Sequence, residues 1–269
     1  MKGAAGRGLR LLEKAGAARA RLRRPNASAE DLHALRVALR RLLVHLKAHG
    51  KACGASAKAR KRLRRIFRST GPLRDAQVEL QWLADHARRS KAEGVDAAAL
   101  VASAAARREA LSVDRAMLSE LDRLAARLRR TFRDSGKAAS DEERFRRRVE
   151  KKARRRALEA RERLERMGQE PAAKALHKAR IAAKRLRYLI EPVGAVPGLP
   201  ALEDAKKLQT LLGEIRDRDL IAADLSELRR EVPAVEGLAG RAAAQALEEK
   251  KALLARARRE WRRPVWRAT

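Results

Sequence analysis

Apolar residues recur at three- and four-residue spacing along nearly the whole 269-residue chain, and no stretch of useful length alternates apolar with polar side chains. That period belongs to a helix face and excludes a half-buried strand, whose period is two. Gly and Pro gather between the periodic stretches. The spacing therefore predicts eight helices, over 4–23, 29–49, 57–89, 97–133, 142–167, 172–191, 200–231 and 236–262. RPNAS, GKACGAS, SKAEGVD, DSGKAASD, GQEP, EPVGAVPGLP and EVPAVEG separate them. Ser28 with Asp31 three residues on reads as a capping box, Pro171 suits a first helical position, and Pro72 should kink or split the third helix. The expected fold class is all-α, with short connections joining antiparallel neighbours.

Charge constrains the partners. Lys and Arg number 66 against 34 Asp and Glu, a formal net charge of +32, and such a chain repels itself unless it meets a polyanion. Arginine outnumbers lysine 49 to 17, which favours multidentate contacts to phosphate oxygens. Aromatic residues make up only 3%, too few for a base-stacking surface. The single cysteine, Cys53, excludes an internal disulfide and every multi-cysteine metal pattern, and gives no sign of an oxidising compartment. An intracellular, cytoplasmic setting is the expectation. The longest candidate apolar run, the alanine-rich Ala97 to Ala106, ends at Arg107-Arg108, short of a membrane span, so no membrane partner is expected. The N-terminus lacks a continuous apolar core and resembles a transit segment only in being Arg-rich and acid-poor.

Two motifs occur twice in the same order. His33-Ala-Leu-Arg36-Val37-Ala38-Leu39-Arg40-Arg41-Leu42 aligns with His177-Lys-Ala-Arg180-Ile181-Ala182-Ala183-Lys184-Arg185-Leu186. Gly71-Pro-Leu-Arg74-Asp75 aligns with Gly213-Glu-Ile-Arg216-Asp217, at a shift differing by only two positions. The pattern implies an internal duplication, with residues 1–136 as the first four-helix half and 141–269 as the second. A pseudo-twofold pair of bundles is the simplest architecture.

On an ideal helix His33, Arg36, Arg40 and Lys47 share one edge, while Leu35, Leu39, Leu42 and Leu46 form the adjoining apolar face. His177, Arg180, Lys184 and Arg187 repeat the cationic edge, beside Tyr188. Like charges at i, i+3 and i+7 repel by a few tenths of a kcal/mol per pair, roughly, so a carboxylate or a bound anion must compensate. A solvated helix face explains one strip; two matched strips with apolar flanks favour a phosphate-type anion site. Asp75 and Asp217, next to Arg74 and Arg216, are assigned an orienting role by charge-assisted bonds.

Catalytic patterns are missing. No Ser or Cys accompanies His33 or His177 as a nucleophile, and the sequence has neither a phosphate-binding glycine loop nor the acidic ligand set of metal-assisted phosphoryl transfer. His45 and His49 form an H-x-x-x-H pair without a third ligand nearby, so neither metal nor cofactor is expected.

DLHALRVALRRL, STGPLRDAQVEL, ALHKARIAAKRLRYLIE and KLQTLLGEIRDRDL, in this order, resemble the conserved histidine α-helical domain (CHAD) family over nearly the whole chain. The resemblance implies two bundles around a basic central groove that binds inorganic polyphosphate, non-catalytically, with association to intracellular polyphosphate granules. Its implied binding residues are His33, Arg36, Arg40, Arg41 and Arg74 in the first copy. In the second they are His177, Arg180, Lys184, Arg185, Arg187 and Arg216, with Lys47, Arg64, Lys206 and Lys207 as groove neighbours. This chain departs from the family pattern at Ser69-Thr70, which replace leucines. Leu43 stands where the second copy has Arg187, and Glu191 stands opposite Lys47. The alternative is a basic helical protein that binds nucleic acid nonspecifically, since a +32 chain attracts any polyanion. An enzyme acting on phosphate chains is a weaker rival, for want of a ligand set.

Overall fold

The computed structural model describes residues 3–92, 97–109, 111–135, 141–167 and 171–266. Parts of three linkers, 93–96, 136–140 and 168–170, lie outside the described residues, as do the outermost termini and the inner edge of the first predicted half. Among the described residues every regular element is helical. The α-helices are α1 (Gly3–Leu22), α2 (Ala29–His49), α3 (Ala57–Ser69), α4 (Gly71–Ala92), α5 (Ala98–Glu109), α6 (Arg115–Arg133), α7 (Glu142–Glu165), α8 (Ala173–Ile190), α9 (Leu202–Glu231) and α10 (Glu236–Trp261).

Local chemistry sets the breaks. Ser28 accepts from the Asp31 amide at 3.2 Å, and the Asp31 carboxylate accepts from the Ser28 amide at 3.0 Å, a complete capping box at the start of α2. Gly54, at φ +71°, ends the single 3-10 turn after α2, a conformation that favours glycine. Pro72 divides the predicted third helix: α3 stops at Ser69 and α4 starts at Gly71. The predicted helix over 97–133 is also two helices, a break that the apolar period did not reveal. Asp114 caps α6 by accepting from the Ala116 amide at 2.7 Å. α5 contributes Leu100 and Ala104 to one core, and α6 contributes Leu121, Leu124 and Leu128 to another.

The chain forms two compact units that interleave in sequence. Unit 1 is Met1–Arg74, Val113–Arg156 and Arg185–Pro197; unit 2 is Asp75–Ser112, Ala157–Lys184 and Gly198–Thr269. In unit 1, α1 packs on α2 and α6, and α3 bridges α2 and α6. Its core is leucine-rich: Leu11 and Leu12, Leu35, Leu39 and Leu42, Leu63, then Leu121, Leu128 and Phe132, all buried. In unit 2, α9 and α10 form a long helical hairpin. Ala239, Ala242, Ala243 and Ala246 occupy one face of α10 at helical spacing and are buried among Ile221, Leu225 and Leu228 of α9, with Trp82, Leu83 and Leu100. Small side chains there let the two helices approach closely.

Candidate functional site

In unit 1 the two parts of the first motif copy converge. His33, Arg36 and Arg40 stand on one edge of α2, and Arg74 in the first turn of α4 joins them. The His33 imidazole is held below its ordinary pKa, first by loss of water and then by the charges of Arg74, Arg40 and Arg36. In unit 2 the second copy assembles the equivalent set, with His177, Arg180 and Lys184 on α8 and Arg216 on α9. His177 is held down likewise, by partial desolvation, then Arg216, Arg180 and Lys184. In both copies, loss of water first and the neighbouring cations second disfavour the charged form of the ring, so each histidine stands in a locally positive environment.

The supports of the two copies differ. Arg36 and Arg40 lie over the ring of Phe67, at 4.7 and 5.1 Å from its centroid. Arg36 Nη1 also donates to Thr70 Oγ1 at 2.7 Å and to the Phe67 carbonyl at 3.2 Å, and the Thr70 hydroxyl donates to that carbonyl at 2.9 Å. Thr70 is buried, at 2% exposure. Its departure from the family's leucine therefore supplies the acceptor that aims Arg36. Phe67 was not singled out from the sequence; its one signal is a position within about 60° of Arg64 on α3, toward the α2 edge.

In the second copy a carboxylate provides the support. Asp217 feels the charges of Arg180 and Lys184, which act against the rise in its pKa caused first by burial. Lys184 is itself 9% exposed, a burial that suits a lysine beside a carboxylate. Asp75 is exposed and adds to the upward push on both Asp217 and Asp224. Glu79, buried and near Asp224, is raised to about 7. Among the described residues no group of three or more His, Cys, Asp or Glu side chains has the geometry to hold a metal ion.

The remaining predicted residues have partners and exposures of their own. Arg41 makes an ion pair with Glu191 at 2.7 Å and lies over Tyr188 at 5.9 Å, with Arg187 over the same ring at 5.3 Å. Glu191, the residue opposite Lys47 in the repeat, is thus the partner of Arg41. Lys47 and Arg64 are exposed, and Arg185 is half-buried. Lys206 pairs with Glu203 at 2.5 Å and Lys207 with Glu260 at 2.7 Å, in a cleft whose lining includes none of the His177 cluster. His45 and His49 are buried in unit 1 with pKa values pushed down to about 4 and about 3, mainly by desolvation, so they are neutral core residues.

The family model for the CHAD domain matches residues 9–226. In fold, the chain is similar to the crystal structure of the CHAD domain from the plant Ricinus communis, with a TM-score of 0.68 and 21% identity, covering 97% of this chain and 92% of that one. A search of curated proteins finds no match. With the family pattern spanning most of its length, the chain belongs to the CHAD domain family.

Proposed function

We propose that this protein binds inorganic polyphosphate without acting on it chemically. The CHAD family is one related to polyphosphate binding, and it is not a known enzyme class. The observation that carries the reading to this chain is the twofold assembly of histidine, two cations one and two turns on, and the arginine of the glycine motif. Polyphosphate is a flexible chain of anionic units without bases, so it needs guanidinium and ammonium groups at intervals and no stacking surface. Each cluster, taken by itself, offers guanidinium or ammonium groups to the phosphate oxygens of such a chain. Arg41, Arg185, Arg187, Lys47 and Arg64 extend the basic lining. Association with cytoplasmic polyphosphate granules follows from such binding.

Much of the affinity comes from counterion release, so it falls steeply with salt. Charge alone would also attract nucleic acid, and discrimination is the test. Long-chain polyphosphate competes with duplex DNA at equal phosphate concentration, against the wild type and the Arg36→Ala/Arg40→Ala/Arg180→Ala/Lys184→Ala variant. The expected outcome is a loss of polyphosphate affinity of about a hundredfold or more, with residual DNA attraction retained. Equal proportional losses for both ligands would reduce the clusters to general basicity and favour the nucleic-acid reading.

A further inference from the structure

We infer that unit 2 carries a second anion site, a cleft between α9 and α10 that takes a compact oligophosphate. The cleft encloses about 610 Å³ and presents Lys206, Lys207, Arg256, Arg259 and Arg263 against Glu203, Glu214 and Glu260. Three features make it more than a charged surface.

First, Arg256, Arg259 and Arg263 stand at i, i+3 and i+7 at the C-terminal end of α10 and just beyond it, the spacing of the histidine and its two cations in each motif copy. Second, the cleft has a buried anchor. Glu260 is 4% exposed, and its two oxygens receive Arg263 at 2.7 Å and Lys207 at 2.7 Å, while Arg263 also reaches Asp204 at 2.6 Å. Lys207 from α9 and Arg263 from beyond α10 are thereby fixed at one carboxylate. Each keeps further N–H groups for an external acceptor, since an ammonium has three and a guanidinium five. Lys206 is likewise held by Glu203. Third, two arginines in the lining are uncommitted: Arg256 and Arg259 are exposed and make no ion pair with any described residue. Glu214 is the only lining acid that does not have such a pair, so the unneutralised charge is positive. Thr210 adds a neutral hydroxyl donor.

Carboxylate-anchored cations beside two free guanidiniums, gathered in one cleft between two helices, suit a compact ligand with several negative charges. The absence of an aromatic ring in the lining disfavours a nucleobase. The shared chemistry is that of a free oligophosphate or of the terminus of a long polyphosphate chain. This site does not depend on either histidine cluster.

The test is calorimetric titration of the full chain with inorganic tripolyphosphate. Arg256→Ala/Arg259→Ala should weaken binding about tenfold or more, because each arginine supplies charge-assisted bonds to phosphate oxygens. Arg230→Ala/Arg241→Ala, which removes the same charge from exposed positions of the same unit, should change it less than about twofold. All four positions are exposed, so the folds are retained. Repeating the titration with long-chain polyphosphate separates the sources. Parallel loss assigns the cleft to chain ends, and loss confined to tripolyphosphate assigns it to a free ligand. Equal effects of the two pairs on tripolyphosphate, or no effect of either, would overturn the site. The result shares no substitution with the test of the histidine clusters, so the two readings fail separately.

Discussion

The guanidinium groups of Arg36 and Arg40 share one aromatic support, and Thr70 fixes the angle of Arg36. Two cation–π contacts of roughly 0.5–1 kcal/mol each set a ceiling of about five- to thirtyfold on the affinity that Phe67→Leu loses for polyphosphate at constant net charge. Thr70→Val keeps the buried shape but removes the acceptor, and a smaller loss in the same direction is expected. Fluorescence anisotropy with labelled polyphosphate measures both; an unchanged Kd in Phe67→Leu would place the ring outside the site. The basic edge of α2 was legible in the sequence because helical period alone puts His33, Arg36 and Arg40 in line. The support was not, because Phe67 and Thr70 lie a helix away, and only packing of α3 on α2 reveals the contact. The same holds for Arg41, whose partner Glu191 is remote in sequence and fixed only by the folded core of unit 1.

Three helical glycines separate packing from binding at the scale of the element. A Cβ on Gly8 of α1 would meet Phe132 Cε2 at 2.5 Å, and Phe132 is fully buried in α6, so the bare backbone is what lets these helices pack. Gly8→Ala should therefore cost about 1–3 kcal/mol through overpacking. Gly16 of α1 and Gly213 of α9 have no atom within 4 Å of such a Cβ, and neither has a positive φ. Alanine at either should stabilise by up to ~1 kcal/mol through helix propensity. Gly213 belongs to the duplicated glycine motif, three residues before Arg216, and its bare surface leaves room for a ligand beside the cation. Gly213→Ala is thus expected to raise Tm while weakening polyphosphate binding, whereas Gly16→Ala raises Tm alone. Thermal unfolding paired with a binding assay checks it, and unchanged affinity in Gly213→Ala would remove the glycine from the site. The motif glycine was visible in the sequence; that it guards open space and not a turn was not.

For the whole molecule, buried histidines set how stability responds to acid. His45 and His49 titrate at about 4 and about 3 when folded, against 6.5 for an ordinary histidine, so below 6.5 the unfolded chain binds more protons than the native one. Their contribution to stability is complete above 6.5 and is lost as pH falls from there toward 4. Glu79, raised to about 7, works in the opposite sense, retaining a native proton that is lost as pH rises. The histidine effect is isolated by comparing urea unfolding of the wild type with that of His45→Gln/His49→Gln between about pH 7 and pH 4.5. The wild type should lose on the order of 5 kcal/mol more over that interval than the variant. Parallel pH profiles would show that these rings are not the titrating groups.

By itself the sequence determined the helical class, the split at Pro72, the capping box at Ser28 and the two cationic strips. All of these depend on residues a few positions apart, where helix geometry and backbone chemistry decide the outcome. Only the tertiary structure decided that Arg74 joins His33 and Arg216 joins His177, that Phe67 and Thr70 carry the first strip, and that Asp217 faces the second. It also decided that Arg41 is engaged by Glu191, Lys206 by Glu203 and Lys207 by Glu260. A cation's partner is set by which helices the apolar cores bring side by side, and that choice is made by burial over the whole chain, which no local spacing encodes.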